Sequence, residues 1–563
     1  MATRVVASWY QLQQDNTTLW PEPPKGEDAR PNFSSFTNKR KGLLHPSTDD
    51  KQEVIVNKYV DVQGFGKPGK DHTILAQEIA AEGHVLVKNT GNLLPINQHG
   101  LSGSSQPDPN KKMKVGIFGE DAGPVNDPKW PNQCEDRACN EGTLAVGWGS
   151  GAAEFPFLID PAQALEKAFN TSTVEVSTSL SNKPHDVPKD LSNMEICFAF
   201  VNSDAGEGFK SWNGISDRKD LSIQKGGNDL IGAVSKTCKN TVVVIHTVGP
   251  VIVEKWADKP NVKAIIFANL PGEKSGYGFT DVLFGLRDAT GRLPYTVGKS
   301  LDDFGPGAQV MYKPKPKTAP QQSFKEGLFI DYRYFDRDQI APRYPFGFGL
   351  SYTIWSLTNL EIVSLKAASP LPSPRPSDPE ILPPSYQTEL PDISTTFFPA
   401  DFRKLKKYIY PYLTPSIPIV RSPYPYPKGY STPNLPSQAG GGQGGNPSLY
   451  DNHINITVSI KNTGSRTGKQ VLQLYLTFPP NIRDEITNEK IETPVRVLRA
   501  FEKVQCQPGE EKSVSMTLDR RALSFWSRGR QNWVMPAGTF GVQVGFSSRD
   551  LILNGTWDGQ AAT

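Results

Sequence analysis

The apolar rhythm of this chain changes once along its length, and that change limits the folds open to it. Before residue 300 the hydrophobic residues come in short, nearly unbroken runs. These are Val115-Gly116-Ile117-Phe118, Val174-Glu175-Val176, Ile196 to Val201, Val242 to Ile245 and Val262 to Phe267. Runs of this kind suit strands covered on both faces. Helical stretches separate them. Asp71 reads as an N-cap, with Ile74, Leu75 and Ile79 at helical spacing toward Val87. Asp160-Pro161 opens a second helix as N-cap and first-turn proline, and a third runs from Asn228 to Lys236. Alternating strand and helix predicts a doubly wound α/β sandwich with a mostly parallel sheet over residues 71–300.

The later half alternates residue by residue. Ile454, Ile456, Val458 and Ile460 repeat every second position, as do Val514, Met516 and Leu518, and Phe540, Val542, Val544 and Phe546. Period two with Gly and Pro turns predicts an antiparallel β-sandwich whose first strand lies near Trp355 to Val363. The expected division is 1–70, the α/β part 71–300, a connector 301–345, and the sandwich 346–563. Residues 366–449 are proline-heavy and end near a glycine run, so they read as an insertion within the sandwich. Its Phe397, Phe398, Tyr408, Tyr410 and Tyr412 suit a loop that lies on a neighbouring surface.

Composition excludes several classes. The chain has 563 residues, 37% hydrophobic and 21% charged, which suits globular domains with sizeable cores. Its formal charge of +3 and short basic clusters give nucleic acid no evident footing. No apolar run approaches the length of a membrane span. Cys134 and Cys139 are spaced to close a small disulfide loop, and no histidine stands near them, so no metal site is expected. Five cysteines leave at least one thiol without an internal partner. Sequons at Asn16, Asn32, Asn170, Asn455 and Asn554 favour a secretory route weakly, while the amino terminus lacks the pattern of a signal peptide.

Chemistry points to the segment after the third apolar run, Asn202-Ser203-Asp204-Ala205-Gly206-Glu207-Gly208-Phe209. Ligands of open α/β sheets gather outside the carboxyl ends of strands. Flanking glycines give a loop backbone freedom, and a carboxyl group held there can donate a proton. A solvated acidic loop is the plainer alternative. A nucleotide-binding reading fails, because no G-x-G-x-x-G follows a strand at the required place.

Several ordered segments together resemble glycoside hydrolase family 3, in particular its fungal β-glucosidases. They include Val87-Lys88-Asn89-Thr90-Gly91, Gly116 to Gly123, Gly142 to Gly151, Gly206-Glu207-Gly208, Leu270-Pro271-Gly272, Gly327 to Tyr332 and Phe346 to Tyr352. Asn462-Thr463-Gly464, Gln473-Leu474-Tyr475 and Val544 to Asp550 resemble the family's fibronectin-III-like domain. The resemblance implies retaining hydrolysis of terminal β-D-glucosyl residues by two carboxyl groups. Glu207 would be the general acid/base, Phe209 the aromatic beside the leaving sugar, Ser150 a contact to the glucose, and Trp148 a packing residue. It implies no cofactor. The partner expected is a β-glucoside or cello-oligosaccharide, with a homodimer as one allowed assembly.

The family's first domain is a (β/α)₈ barrel that carries an aspartate nucleophile in Ser-Asp-Trp, a tripeptide this chain does not contain. Residues 1–70 are too few for a barrel, and Thr3 to Asp15 resembles its closing helix. The expectations are therefore that Met1 is internal to a longer secreted protein and that this chain alone is inactive. Lys274 stands where the family has an acid and is expected to lie away from the sugar. The alternative to an enzyme is a non-catalytic remnant that binds glycan or a partner.

Overall fold

A computed structural model of the protein describes residues 72–99, 112–124, 141–147, 157–205, 218–308, 323–374 and 446–559, with short pieces before residue 56. Residues 1–62, with 135–137 and 386–432, make one unit, and the rest of the chain makes a second. In the first, β1 (Lys41–Leu43) pairs antiparallel with β2 (Glu53–Ile55).

The second unit opens with α1 (His72–Gly83) and a six-stranded sheet. Its strands are β3 (Val85–Asn89), β4 (Met113–Phe118), β5 (Val174–Ser179), β6 (Ile196–Ser203), β7 (Thr241–Thr247) and β8 (Val262–Phe267). Their spatial order is β3-β8-β7-β6-β4-β5, with β3 antiparallel at one edge and the other pairings parallel. The unbroken apolar runs divide by strand period between two cores. Cys197, Ala199 and Val201 of β6 face one core with α3 (Gly227–Thr237). Ile196, Phe198 and Phe200 face the other, with α2 (Pro161–Ala168) and α4 (Ser275–Leu283). The fold is the expected α/β sandwich.

Helix starts follow the sequence where caps are strong. Asp160 caps α2 by accepting from the Gln163 amide at 2.9 Å, with Pro161 next. The first helix departs from expectation: it ends at Gly83, and Val87 belongs to β3. Asp71, its expected cap, lies outside the described residues. Ile74, Leu75 and Ile79 are 62%, 53% and 63% exposed, and the buried face is Ala80 and Ala81. The cause is close helix packing. A Cβ on Gly278 of α4 would sit 2.6 Å from the Ala80 Cβ, so only small residues fit this contact.

The later half forms two facing sheets. A three-stranded sheet orders β13 (Glu511–Asp519), β10 (Asn452–Asn462) and β9 (Trp355–Ser364). A four-stranded one orders β12 (Val497–Cys506), β11 (Gly468–Thr477), β16 (Phe540–Ser547) and β17 (Asp550–Trp557). A hairpin of β14 (Phe525–Ser527) and β15 (Asn532–Val534) stands beside them. Ile454, Ile456, Val458, Ile460, Leu472, Leu474, Leu476, Val542 and Val544 fill the single core, so the period-two reading holds. The long connection from β9 to β10 leaves and returns at one place, where the Ser373 carbonyl accepts from Asn446 Nδ2 (2.9 Å) and Ser448 Oγ (3.1 Å).

Candidate active site

Strand order locates a crevice. From β4 the chain continues to β5 on one side of the sheet, and from β6 it continues to β7 on the other. Neighbouring parallel strands whose connections diverge leave an opening at their carboxyl ends, where ligands of such sheets bind. The segments that leave this edge are those after Phe118 and after Ser203. Gly119 begins the first with φ +108°, and a Cβ there would lie 2.1 Å from the Phe200 carbonyl oxygen. Glycine is needed to bring the two strand ends this close.

A buried bracket ties these segments together. Asp121 Oδ1 accepts from the Leu144 amide (2.9 Å) and from Asn202 Nδ2 (3.0 Å). Its Oδ2 lies 2.6 Å from His246 Nδ1, at the end of β7. With the ring proton on Nδ1, Nε2 accepts from Ser275 Oγ, 3.3 Å away at the start of α4. Asp121, His246 and Ser275 are all 0% exposed. The order hydroxyl–imidazole–carboxylate resembles a nucleophilic triad. No substrate reaches a hydroxyl sealed in this way, so the group acts as a brace. One carboxylate holds the loop after β4, residues 142–147, the end of β6 and the end of β7.

Asp204 stands between β6 and the glycine-flanked glutamate. Its amide donates to Gln224 Oε1 (2.9 Å), and its carbonyl accepts from Gln224 Nε2 (2.8 Å). The carboxyl Oδ1 accepts from the Ala205 amide (2.8 Å), while Oδ2 is buried without a partner. Burial pushes this carboxyl up to about 7, against the opposing pull of the Ala205 amide and Lys225. This carboxyl therefore takes up its proton near neutral pH, well above the usual carboxylate range. Lys225, itself buried, pairs with Glu120 after β4. Arg218, the next described residue, donates to the Pro250 carbonyl at 2.5 Å.

Glu207, Phe209, Ser150 and Trp148 lie outside the described residues, as do Cys134, Cys139 and Asn32. The described chain flanking Glu207 stops at Ala205 and resumes at Arg218. Asn16 and Asn554 are exposed, and Asn170 and Asn455 are half-buried. Lys274 lies 4.9 Å from the Phe157 ring centroid and 5.3 Å from that of Tyr277, a cation–π role. Sequence reasoning missed Asp121, Asp204 and His246. A histidine in an otherwise apolar strand, Val244-Ile245-His246-Thr247, was the available signal. It also missed the disulfide between Cys197 and Cys238, whose Cα atoms are 6.4 Å apart, the first near the start of β6 and the second at the C-cap of α3. Cys506 is a buried free thiol. Among the described residues no group of His, Cys, Asp or Glu is arranged to hold a metal, and no helix is long and apolar enough to cross a membrane.

Residues 84–352 match the glycosyl hydrolase family 3 C-terminal domain. Residues 470–548 match a fibronectin type III-like domain. The "probable beta-glucosidase E" of Neosartorya fischeri is 47% identical over 99% of this chain and 54% of its own length. That of Aspergillus fumigatus is 48% identical over 99% of this chain and 52% of its own. The chain thus spans about half the length of these curated relatives. The solved structure of a Chaetomium thermophilum β-glucosidase superposes with a TM-score of 0.75 at 36% identity, covering 93% of this chain and 60% of that one. A family 3 β-glucosidase from Neurospora crassa gives 0.73 at 34%, covering 94% and 61%. The bracket and Asp204 fall within the matched residues 84–352, and Asn202 and Asp204 precede Gly206-Glu207-Gly208 in the sequence.

Proposed function

We propose that this chain belongs to a retaining β-glucosidase that releases terminal β-D-glucosyl residues from cellobiose and other β-glucosides, with Glu207 as general acid/base. The observation that carries this reading is 47–48% identity, along 99% of the chain, to proteins named probable β-glucosidases. The strand-end crevice beside the Glu207 loop supports it physically.

In such chemistry one carboxylate attacks the anomeric carbon while a protonated partner, about 5–5.5 Å away, donates to the leaving oxygen. Glu207 supplies the proton and then, once the nucleophile's charge is spent in the glycosyl-enzyme, takes one from water. Phe209 and Ser150 hold the sugar. Asp121 keeps the roots of both loops at fixed spacing. The attacking aspartate's Ser-Asp-Trp motif is not among these 563 residues, so the chain alone is expected to leave a chromogenic β-glucoside uncleaved. A secretory route fits the Cys197–Cys238 disulfide and the exposed sequons.

The test joins this chain to the portion of the Aspergillus fumigatus relative that it does not match. Glu207→Ala should slow cleavage of alkyl β-glucosides by about 10²–10⁴-fold. It should slow an activated aryl glucoside, whose leaving group needs no proton, far less. Equal slowing of both substrates would remove Glu207 from the acid role.

A further inference from the structure

A cavity lined mainly by the β-sandwich, with Leu328 and Arg333 from the preceding connector, shares no residue with the strand-end crevice. Its volume is about 690 Å³, within the range of small-molecule sites. Trp526 and Trp533 face each other across the β14–β15 hairpin and meet edge to face, with centroids 5.7 Å apart. Trp526 is 39% exposed, far more than a core tryptophan. Arg333, Arg499 and Arg521 converge on the same space, and Arg528, paired with Glu489, also lines it.

These three arginines have unusual company. Neighbouring ion pairs go to other arginines, as in Arg496–Asp336, Arg528–Glu489 and Arg530–Glu485. Arg521 instead lies over the Trp533 ring at 5.4 Å, and Arg499 over Phe478 at 5.6 Å. Arg333 lies over the Tyr332 ring at 5.5 Å, with its Nε 3.4 Å from that hydroxyl. Arg499 Nε is buried with no hydrogen-bond partner. Burial, and then Arg333 and Arg521, push its guanidinium below the usual range. Asp519 and Glu492 also line the cavity, but Asp519 Oδ1 is engaged by the Ala522 amide at 2.8 Å. A buried donor without an acceptor is costly, and a guanidinium fork matches a carboxylate in shape and charge. Aromatic faces beside it bind rings.

We propose that this cavity binds a ring that bears a carboxylate, the ring lying against Trp526 and Trp533 and the carboxylate against Arg499 and Arg521. Two sources share that chemistry, a sugar acid and an aromatic acid. Calorimetric titration of the full 563-residue chain with trigalacturonate, with ferulate and with neutral cellotriose separates them. At least one acid should bind, about tenfold or more tighter than cellotriose, and more weakly as salt is raised. Trigalacturonate alone assigns a sugar acid, ferulate alone an aromatic acid, and both together a site that reads only ring and charge. Arg521→Gln should weaken the bound acid about tenfold. Trp526→Ala, at a partly exposed position, should do so without changing the melting temperature. Absence of acid binding overturns the proposal, as does cellotriose binding equally well or affinity unchanged in both variants. Arg521→Lys serves if Arg521→Gln does not fold: retained charge without the fork should still lose affinity.

Discussion

His84 fills the single position between α1 and β3, where its ring is fully enclosed and Nδ1 donates to the Ala80 carbonyl at 2.6 Å. Burial first, and the nearby His246 in addition, lower its pKa to about 4. The unfolded chain takes up that proton near 6.5. Between these values the unfolded state binds more protons, so stability falls as pH drops through the window. His84→Gln removes the titrating ring. The stability gap between parent and variant, measured by urea unfolding, should shift by about 2–3 kcal/mol against the parent between pH 7 and pH 4.5. Asp121 sets a second expectation. Asp121→Ala leaves His246, Asn202 and the Leu144 amide without their acceptor, and should cost about 3–5 kcal/mol. Amide exchange should quicken at residues 142–147 and 202–205. An unchanged exchange pattern would mean that the loops hold together without this carboxylate.

Among the elements, β6 and β7 were legible from their apolar runs, because burial on both faces leaves a chain little choice but Val, Ile and Phe. The pairing of Cys197 with Cys238 was not legible. The two residues lie 41 apart in sequence, and only the return of α3 to the foot of the β6–β7 pair brings them together. Replacing both by Ala should lower stability by about 2–4 kcal/mol, read from the denaturation midpoint of the oxidised chain. The end of α1 was misread for a related reason. Ile74, Leu75 and Ile79 have helical spacing, but spacing does not say which face is covered, and the contact with Gly278 selects the alanine side.

The two halves of the second unit are joined by polar contacts as well as packing. Asp288 accepts from Ser351 Oγ (2.8 Å), the Tyr352 amide (2.7 Å) and the Lys469 amide (3.2 Å). Gln473 of β11 donates to the carbonyls of Gly347 (3.0 Å) and Phe546 (2.8 Å). In α5 (Tyr332–Arg337), Asp336 is buried against Arg549 at 2.8 Å and Arg496 at 3.3 Å. Both arginines retain some solvent, so Asp336→Ala should cost about 2 kcal/mol, less than a fully enclosed pair. A calorimetric melt that separates into two transitions in this variant, where the parent shows one, would locate the loss at the joint.

Local pattern was sufficient for the α/β class, the β-sandwich and the Asp160 cap, since each follows from periodicity or capping. Three-dimensional packing was required for the divergence of β4 and β6, the Asp121–His246–Ser275 brace, the raised carboxyl of Asp204 and the arginine–tryptophan cavity. Each of these joins residues from separate elements, and the desolvation that gives them their chemistry exists only once those elements have closed over them.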